Sequence, residues 1–335
     1  MTDSTEKAAM AANNARYRPG DKKGHYESYF LRANHPEKPL AFWIRYTVFI
    51  PKGRPEHGMG EIWGMVFDGE KNLHRAVKDE FPLKDCLFDP NGLNVRIGES
   101  VLTPGSLQGR ATSAKHEMIW DLSYTDGERP LFLLPLNLYN KPLPKAKALV
   151  ARPMAKFSGT ITLDGEKLEI KDWVGSQNHN WGSKHTDLYA WGQVAGFDNA
   201  PGSFFEAGTA KLKFGPVWTP FMTVMVLRHQ GIEYPLNGLM KSFAAQGSFN
   251  YFTWNFSTRG PDIQVSGTIH ARPEDFVGLT YYNPPGGIKH CLNSKIAACE
   301  LTVTLGKRTQ ILTTANRAAF EILTEDRAHG VPIQV

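Results

Sequence analysis

Cysteine is scarce: Cys86, Cys291 and Cys299 are the only three in 335 residues. Their number is odd, no pair forms a CxxC and no zinc spacing surrounds them, so neither a disulfide framework nor a structural metal is expected and a reducing compartment fits best. Long apolar runs are missing as well. No stretch approaches the roughly 18 apolar residues of a spanning helix, and residues 1–14 lack the apolar stretch and cleavage site of a signal peptide, so the expectation is a cytoplasmic chain. Charge of one sign is not in excess: 38 Lys and Arg against 33 Asp and Glu leave +5, without a basic stripe, which argues against nucleic acid as a partner. The cluster Arg16, Arg18, Lys22 and Lys23 reads either as a solvated arm or as a point of peripheral membrane contact. GxSxG, GxxxxGK[ST] and strand-linked GxGxxG are all absent, which removes the usual anchors of hydrolase, nucleotide and dinucleotide readings.

What the chain does contain is aromatic and turn residues. Eight Trp, 19 Phe and 11 Tyr accompany 31 Gly and 22 Pro, a mixture that favours strands punctuated by tight turns. The length exceeds what one core usually supports, so two domains are expected, one large β domain being the alternative. Residues 1–20 read as a flexible arm ending at Pro19-Gly20, residues 21–150 as a first β domain and 151–335 as a second, with the Pro-rich Asn140–Pro153 stretch as crossover. Strand-like runs include Phe42–Ile50, Glu61–Phe67, Met118–Tyr124, Phe157–Leu163, Tyr189–Phe197, Phe204–Lys213, Phe221–Arg228, Asp262–His270 and Ala298–Leu305. Thr314–Glu325, with Ala318, Ala319, Ile322 and Leu323 on one face, predicts a short C-terminal helix. A faint internal echo pairs Ala41–Tyr46 with Ala190–Val194 and Ile119–Tyr124 with Thr253–Ser257, hinting at two antiparallel barrels, each able to hold one small ligand.

The densest segment is Gly175–Asp187, followed at once by Leu188–Phe197. Alternation along an extended chain puts His179 and Trp181 on one side and Asn178 and Asn180 on the other. In the next strand Tyr189, Trp191, Gln193 and Phe197 share a bulky face. Its reverse, Ala190, Gly192, Val194 and Gly196, is nearly bare, which suits either a ligand or tight packing on another element.

The His-x-Trp-Gly element (His179, Trp181, Gly182) followed by a strand carrying Trp191-x-Gln193 resembles the carotenoid 1,2-hydratase family. That family is grouped with tocopherol cyclase and the fungal Diels-Alderases of decalin biosynthesis in a lipocalin-like superfamily of paired barrels. The resemblance covers roughly His25 to Leu323, although its specific residues occupy a short stretch. It implies a mostly β chain of two consecutive lipocalin-like antiparallel β-barrels. It also implies functional weight on His179 and Trp181, and Glu206 in Phe204-Phe205-Glu206-Ala207-Gly208 takes the place of the family's acid.

Such residues suit proton-initiated chemistry on an alkene, which needs an acid in a site that excludes water and aromatic faces that stabilise a developing cation. Glu206 alternates with Gly208, Ala210 and Leu212 on an apolar face where burial would raise its pKa; the alternative is an edge residue paired with Lys211 or Lys213. His179 reads as acid, base or water-positioner, or else as a buried structural histidine. Asp187 would orient His179 or His185, or simply shape a turn. His179, His185 and Asp187 together have the composition of a metal triad but no supporting motif, so no metal and no cofactor is expected. Trp181, Tyr189, Trp191, Gln193, Asn178, Asn180 and Arg45 are the substrate-binding candidates, Arg45 as a bidentate partner for a carboxylate or else as a residue of the barrel rim. Two functions follow. One is a cofactor-independent enzyme that hydrates, isomerises or cyclises a hydrophobic isoprenoid- or polyketide-like substrate; the other is a carrier that binds such a molecule without changing it.

Overall fold

The computed structural model describes residues 11–335. Two antiparallel sheets of 12 and 10 strands account for most of them, and the chain is mostly β, built as two consecutive lipocalin-like barrels. In the first sheet Leu73–Pro82, Met59–Asp68, Leu40–Ile50, His25–Asn34, Glu166–Gly182, Ala146–Leu163, Glu117–Tyr124 and Ser106–Thr112 are neighbours in that order, with three short strands beyond them. The second sheet follows the same plan. Ile232–Leu236, Met222–His229, Phe204–Lys211 and Leu188–Ala195 lead into Arg308–Thr324, Ile288–Leu305, Ile263–His270, Thr253–Arg259 and Gln246–Phe249. In both, the first strand of the half pairs with the last, and a long hairpin closes the sheet.

This shared order is the repeat at which the sequence hinted, but the echoed segments do not occupy equivalent places. Ala41–Tyr46 lies in the second strand of its half and Ala190–Val194 in the first, while Ile119–Tyr124 borders the long hairpin and Thr253–Ser257 lies one strand further out. Nor does the chain cross between halves at 150: residues 146–163 and 166–182 both belong to the first sheet, and the passage falls between Gly182 and Leu188. The Pro-rich stretch before it forms a loop over the barrel mouth.

Two further expectations are corrected. Thr314–Glu325 is not a helix; it lies in the strand Arg308–Thr324, and the one α-helix among the described residues is Leu239–Ala244. Ala318, Phe320 and Ile322 face the interior of the second barrel while Leu323 packs on the first, so both faces are buried and the run loses the alternation that marks a half-buried strand. The arm is also held from residue 13 onward. The amides of Arg16 and Tyr17 donate to Glu27, each at 2.7 Å, Asn13 donates to Gln177 at 3.0 Å, and Tyr29 donates to the Asn13 carbonyl at 2.9 Å. The rest of that expectation, residues 1–10, lies outside the described residues.

Each barrel has its own core, one around Tyr29, Phe42, Trp120 and Trp173 and the other around Phe205, Trp254 and Phe320. A third cluster joins them: Phe30, Trp43, Trp63 and Phe67 of the first sheet meet Leu279, Tyr281, Cys291 and Leu323 of the second. This is why His25–Asn34 and Leu40–Ile50 are buried along nearly their whole length on both faces.

Candidate functional site

Beside that joint the two sheets part around a cavity of about 420 Å³. Its outer walls are apolar, contributed by Leu133, Leu138, Leu143, Leu212, Met222 and Leu239. Its inner end is polar and aromatic, where Tyr26, Arg45, His185, Tyr189, Tyr281 and Glu321 converge. The volume and the lining suit a mostly apolar small molecule with one polar end.

The inner end is organised by stacking. His185 lies on the Tyr26 ring at 3.9 Å and beside Tyr281 at 5.7 Å, and its backbone amide donates to Asn283 at 3.1 Å. Burial first, and then the charges of Arg45 and Lys289, push its pKa down to about 3, so the imidazole is neutral. Arg45 donates to Ser28 Oγ at 2.7 Å and sits 4.3 Å above the Tyr281 ring. Burial works against the Arg45 charge, but Tyr281 and Glu61 outweigh it and the guanidinium stays ionised. The hydroxyls of Tyr26 and Tyr189 find no hydrogen-bond partner among the described residues, and burial raises both phenols' pKa.

Trp191 forms one wall. Cross-strand pairing places it opposite Gly208, and Gln193 opposite Glu206. A side chain at Gly208 would meet nothing nearer than 3.7 Å, so the space beside the indole belongs to the cavity. The indole reaches diagonally and donates from Nε1 to Glu206 Oε1 at 3.0 Å. Glu206 therefore stands one side chain behind the lining, 2% exposed, with Oε2 accepting no hydrogen bond from the described residues. Burial drives its pKa up to about 7 against the opposing pull of the Trp191 bond and the Arg32 charge. It is a carboxyl that exchanges its proton near neutrality.

Glu321 is the carboxylate that lines the cavity itself. Lys295 Nζ reaches its Oε1 at 2.7 Å and Asn293 Nδ2 at 3.0 Å, and the Lys295 ammonium lies 5.6 Å from the Trp191 ring. Burial lowers the Lys295 pKa while Glu321 raises it, which makes the pair interdependent. Glu321→Ala is expected to destabilise the fold by about 3–5 kcal/mol in urea unfolding, because it strands a buried ammonium.

Of the residues singled out in the sequence, Tyr189, Trp191, Arg45 and Asn180 line this cavity and Glu206 stands behind Trp191. The others lie elsewhere. His179 is fully buried in the first barrel, bonded through Nε2 to Glu27 at 2.7 Å and stacked on Tyr29 at 4.1 Å, and Trp181 lies beside it under the Arg16 guanidinium. Gln193 and Asn178 tie the sheets together. Ser176 donates to Gln193 Oε1 at 2.7 Å, and Gln193 donates to Asn178 at 2.9 Å. Asp187 takes Lys184 at 2.5 Å and the Lys213 amide at 2.9 Å, and orients no histidine. The composition of a metal triad is thus not matched by geometry, since His179, His185 and Asp187 each have separate partners. The bare face of Leu188–Ala195 is a packing surface at Gly192, where a Cβ would fall 2.4 Å from Ile269 Cδ1.

Tyr26, Tyr281 and Glu321 carry no local signal that marks them as cavity residues. Tyr281 stands in sequence within an aromatic, Pro-rich loop, and Glu321 within a run whose apolar spacing mimics a helix. Only the fold brings them together.

No family model matches the chain. Two Mycobacterium tuberculosis proteins, Uncharacterized protein MT0513 of strain CDC 1551 / Oshkosh and Uncharacterized protein Rv0493c of strain ATCC 25618 / H37Rv, are each 26% identical over 288 residues, or 85% of this chain and 82% of theirs. Among solved structures, a Nitrosomonas europaea protein given the name AttH superposes with a TM-score of 0.58 at 13% identity, covering 92% of this chain and 98% of its own. Kievitone hydratase from Nectria haematococca gives 0.58 at 12% identity, over 95% and 92%. CghA with Sch210972 gives 0.52 at 10% identity, over 94% and 95%. At these identities the likeness is one of fold alone, two antiparallel barrels in one chain.

Proposed function

We propose that the inter-barrel cavity binds a hydrophobic small molecule, of isoprenoid or polyketide kind, and that the protein catalyses its acid-assisted hydration, isomerisation or cyclisation without a cofactor. The observation that carries this reading is the pairing of a largely apolar cavity with a buried carboxyl whose pKa is about 7, one hydrogen bond behind the cavity wall. That one protein of the same fold is a hydratase and another holds a small molecule agrees with it.

In this reading Arg45 and the two tyrosine hydroxyls hold the polar end of the substrate, and its apolar body lies along Leu133, Leu143 and Met222. Glu206 passes its proton to the substrate through one water at Oε2, a distance over which general acids act. The electron-rich Trp191 face stabilises positive charge as it develops on carbon, the nearby Lys295 charge being offset by its ion pair with Glu321. His185 stays neutral beside Arg45, and the Glu206 carboxylate, ionised by the first transfer, takes back the proton that leaves at the end of the reaction.

Native mass spectrometry with solvent extraction, on protein purified from its own host, tests the cavity without the substrate having been identified. Wild type is expected to carry a hydrophobic compound, and Trp191→Ala to retain roughly a tenth of it, as removal of one aromatic wall implies. Equal occupancy in the two proteins would mean that the compound binds elsewhere. A compound bound in this cavity but left unchanged by the protein would favour the carrier reading.

A further inference from the structure

The surface around the cavity mouth is itself unusual. Of the fifteen large hydrophobic side chains that are exposed among the described residues, eight lie in three segments that also line the cavity: the loop before Ala146, the hairpin 213–218 and the helix Leu239–Ala244. Every exposed Phe, Trp and Met is in this group. Met240 is 80% exposed, Phe214 54%, Phe243 48% and Trp218 42%. The other seven are single Leu and Ile residues scattered over the rest of the chain, as any soluble surface shows. A cluster of this kind at the entrance to an apolar cavity marks an interaction surface.

Charge indicates what covers it. Between Pro130 and Leu163 the chain carries no Asp or Glu, and the same holds from Ala207 to Ile232 and from Tyr234 to Pro261. The mouth segments within those stretches carry Lys141, Lys145, Lys211, Lys213 and Lys241. Lys211 lies against the half-buried Phe221 ring at 4.3 Å and Lys213 against the exposed Trp218 ring at 5.5 Å. The helix is tied to the loop, since Asn237 donates to the Phe132 and Leu133 carbonyls at 3.1 Å each, and the three segments form one face. Exposed aromatic and aliphatic side chains beside lysines, with no acid in those stretches and the nearby Asp187 carboxylate buried against Lys184 and the Lys213 amide, are complementary to the headgroup region of an anionic bilayer.

We infer that the mouth of the inter-barrel cavity docks on an anionic lipid bilayer, with Phe214, Trp218, Met240 and Phe243 in the headgroup layer and the lysines on lipid phosphates. The cavity then opens toward the bilayer, and an apolar ligand moves between lipid and protein without crossing water. This contact differs from the one suggested by Arg16, Arg18, Lys22 and Lys23, and it stands whether the cavity is catalytic or only binds.

The test is co-sedimentation with vesicles of phosphatidylcholine alone and of phosphatidylcholine with phosphatidylglycerol. Wild type is expected to pellet with the anionic vesicles, to release at high salt, and to remain in solution with phosphatidylcholine. The double variant Met240→Glu/Phe243→Glu should partition at least tenfold more weakly, and Lys141→Glu/Lys213→Glu similarly. Both pairs are exposed or rim residues, and an unchanged thermal midpoint will show that they fold. Four results would overturn the inference: wild type that stays in the supernatant; a double variant that pellets like wild type; binding lost only on Arg18→Ala/Lys22→Ala/Lys23→Ala; or a dimer in sedimentation velocity that Met240→Glu/Phe243→Glu dissociates while vesicles remain unbound.

Discussion

Glu206→Gln is expected to lower turnover of the bound compound by about 10²–10⁴-fold, the range that loss of a general acid produces. Glutamine keeps the size of the side chain and an acceptor for the Trp191 indole, so ligand occupancy should change little and the loss should appear in kcat. The pH profile supplies an independent signature. With a folded pKa of about 7, Glu206 is protonated below neutrality and ionised above it. Turnover should therefore fall as pH rises through about 7, and this limb should vanish in Glu206→Gln. Stability moves in the same direction: the raised pKa means that the folded state holds its proton more tightly, so ionisation between about pH 4.5 and 7 weakens the fold. Replacement by glutamine should make the variant more stable than wild type at pH 8. A variant that loses activity and stability together would point to a structural role instead.

The second large effect is expected at Glu27, a residue far from the cavity chemistry. Its carboxylate, wholly buried, accepts from His179 at 2.7 Å, His25 at 3.0 Å and the Arg16 and Tyr17 amides. Burial raises its pKa, but these hydrogen bonds prevail and bring it down to about 2. Glu27→Ala should cost about 3–5 kcal/mol in urea unfolding, because it leaves four buried or half-buried donors without an acceptor. It should also free the arm for cleavage by trypsin after Arg16, since Pro19 protects the bond after Arg18. Because the folded pKa lies below the unfolded value, the contribution is fully present above about pH 4.5 and is lost as pH falls toward 2. The shift corresponds to about 3 kcal/mol. Wild type should lose that stability on acidification, and Glu27→Ala should show a flatter acid limb.

His179 lies buried in the first barrel and does not line the cavity, the placement of a buried structural histidine. Burial lowers its pKa and Glu27 opposes this; the ring donates one hydrogen bond and fixes the entry of the arm. In sequence His179 stands beside Trp181 in a dense local pattern of His, Asn and Trp, but the residue that defines its role lies 152 positions away. Local pattern cannot reveal that partner. The same holds at the inner end of the cavity, where Tyr26, His185, Tyr281 and Glu321 come from four strands or loops spread across nearly the whole chain and meet only through the repeated strand order.

Tyr189 and Trp191 are legible in the sequence because Tyr189, Trp191 and Gln193 alternate with Ala190, Gly192 and Val194, and the two aromatics line the cavity. Most single strands are legible for the same reason; Glu117–Tyr124 is buried at every second residue. The strands that escape such a reading are those buried on both sides. His25–Asn34 mixes Glu27, Ser28 and Arg32 with Tyr and Phe because one face serves the barrel interior and the other the seam between barrels. Arg308–Thr324 mimics a helix because its closing residues, Ala318, Ala319, Ile322 and Leu323, are buried on both faces of the strand. Sheet closure, which decides these burials, leaves no trace in a window of ten residues.

Whether a proton from the Glu206 site reaches carbon in the inter-barrel cavity is decided by incubating the protein with the host's hydrophobic extract in deuterated water and following products by mass spectrometry. Wild type is expected to yield a product that carries one solvent deuteron on carbon, and Glu206→Gln none although the compound still binds. A compound that binds in the cavity and is recovered without deuterium from wild type would contradict proton transfer from Glu206 and leave the protein a carrier.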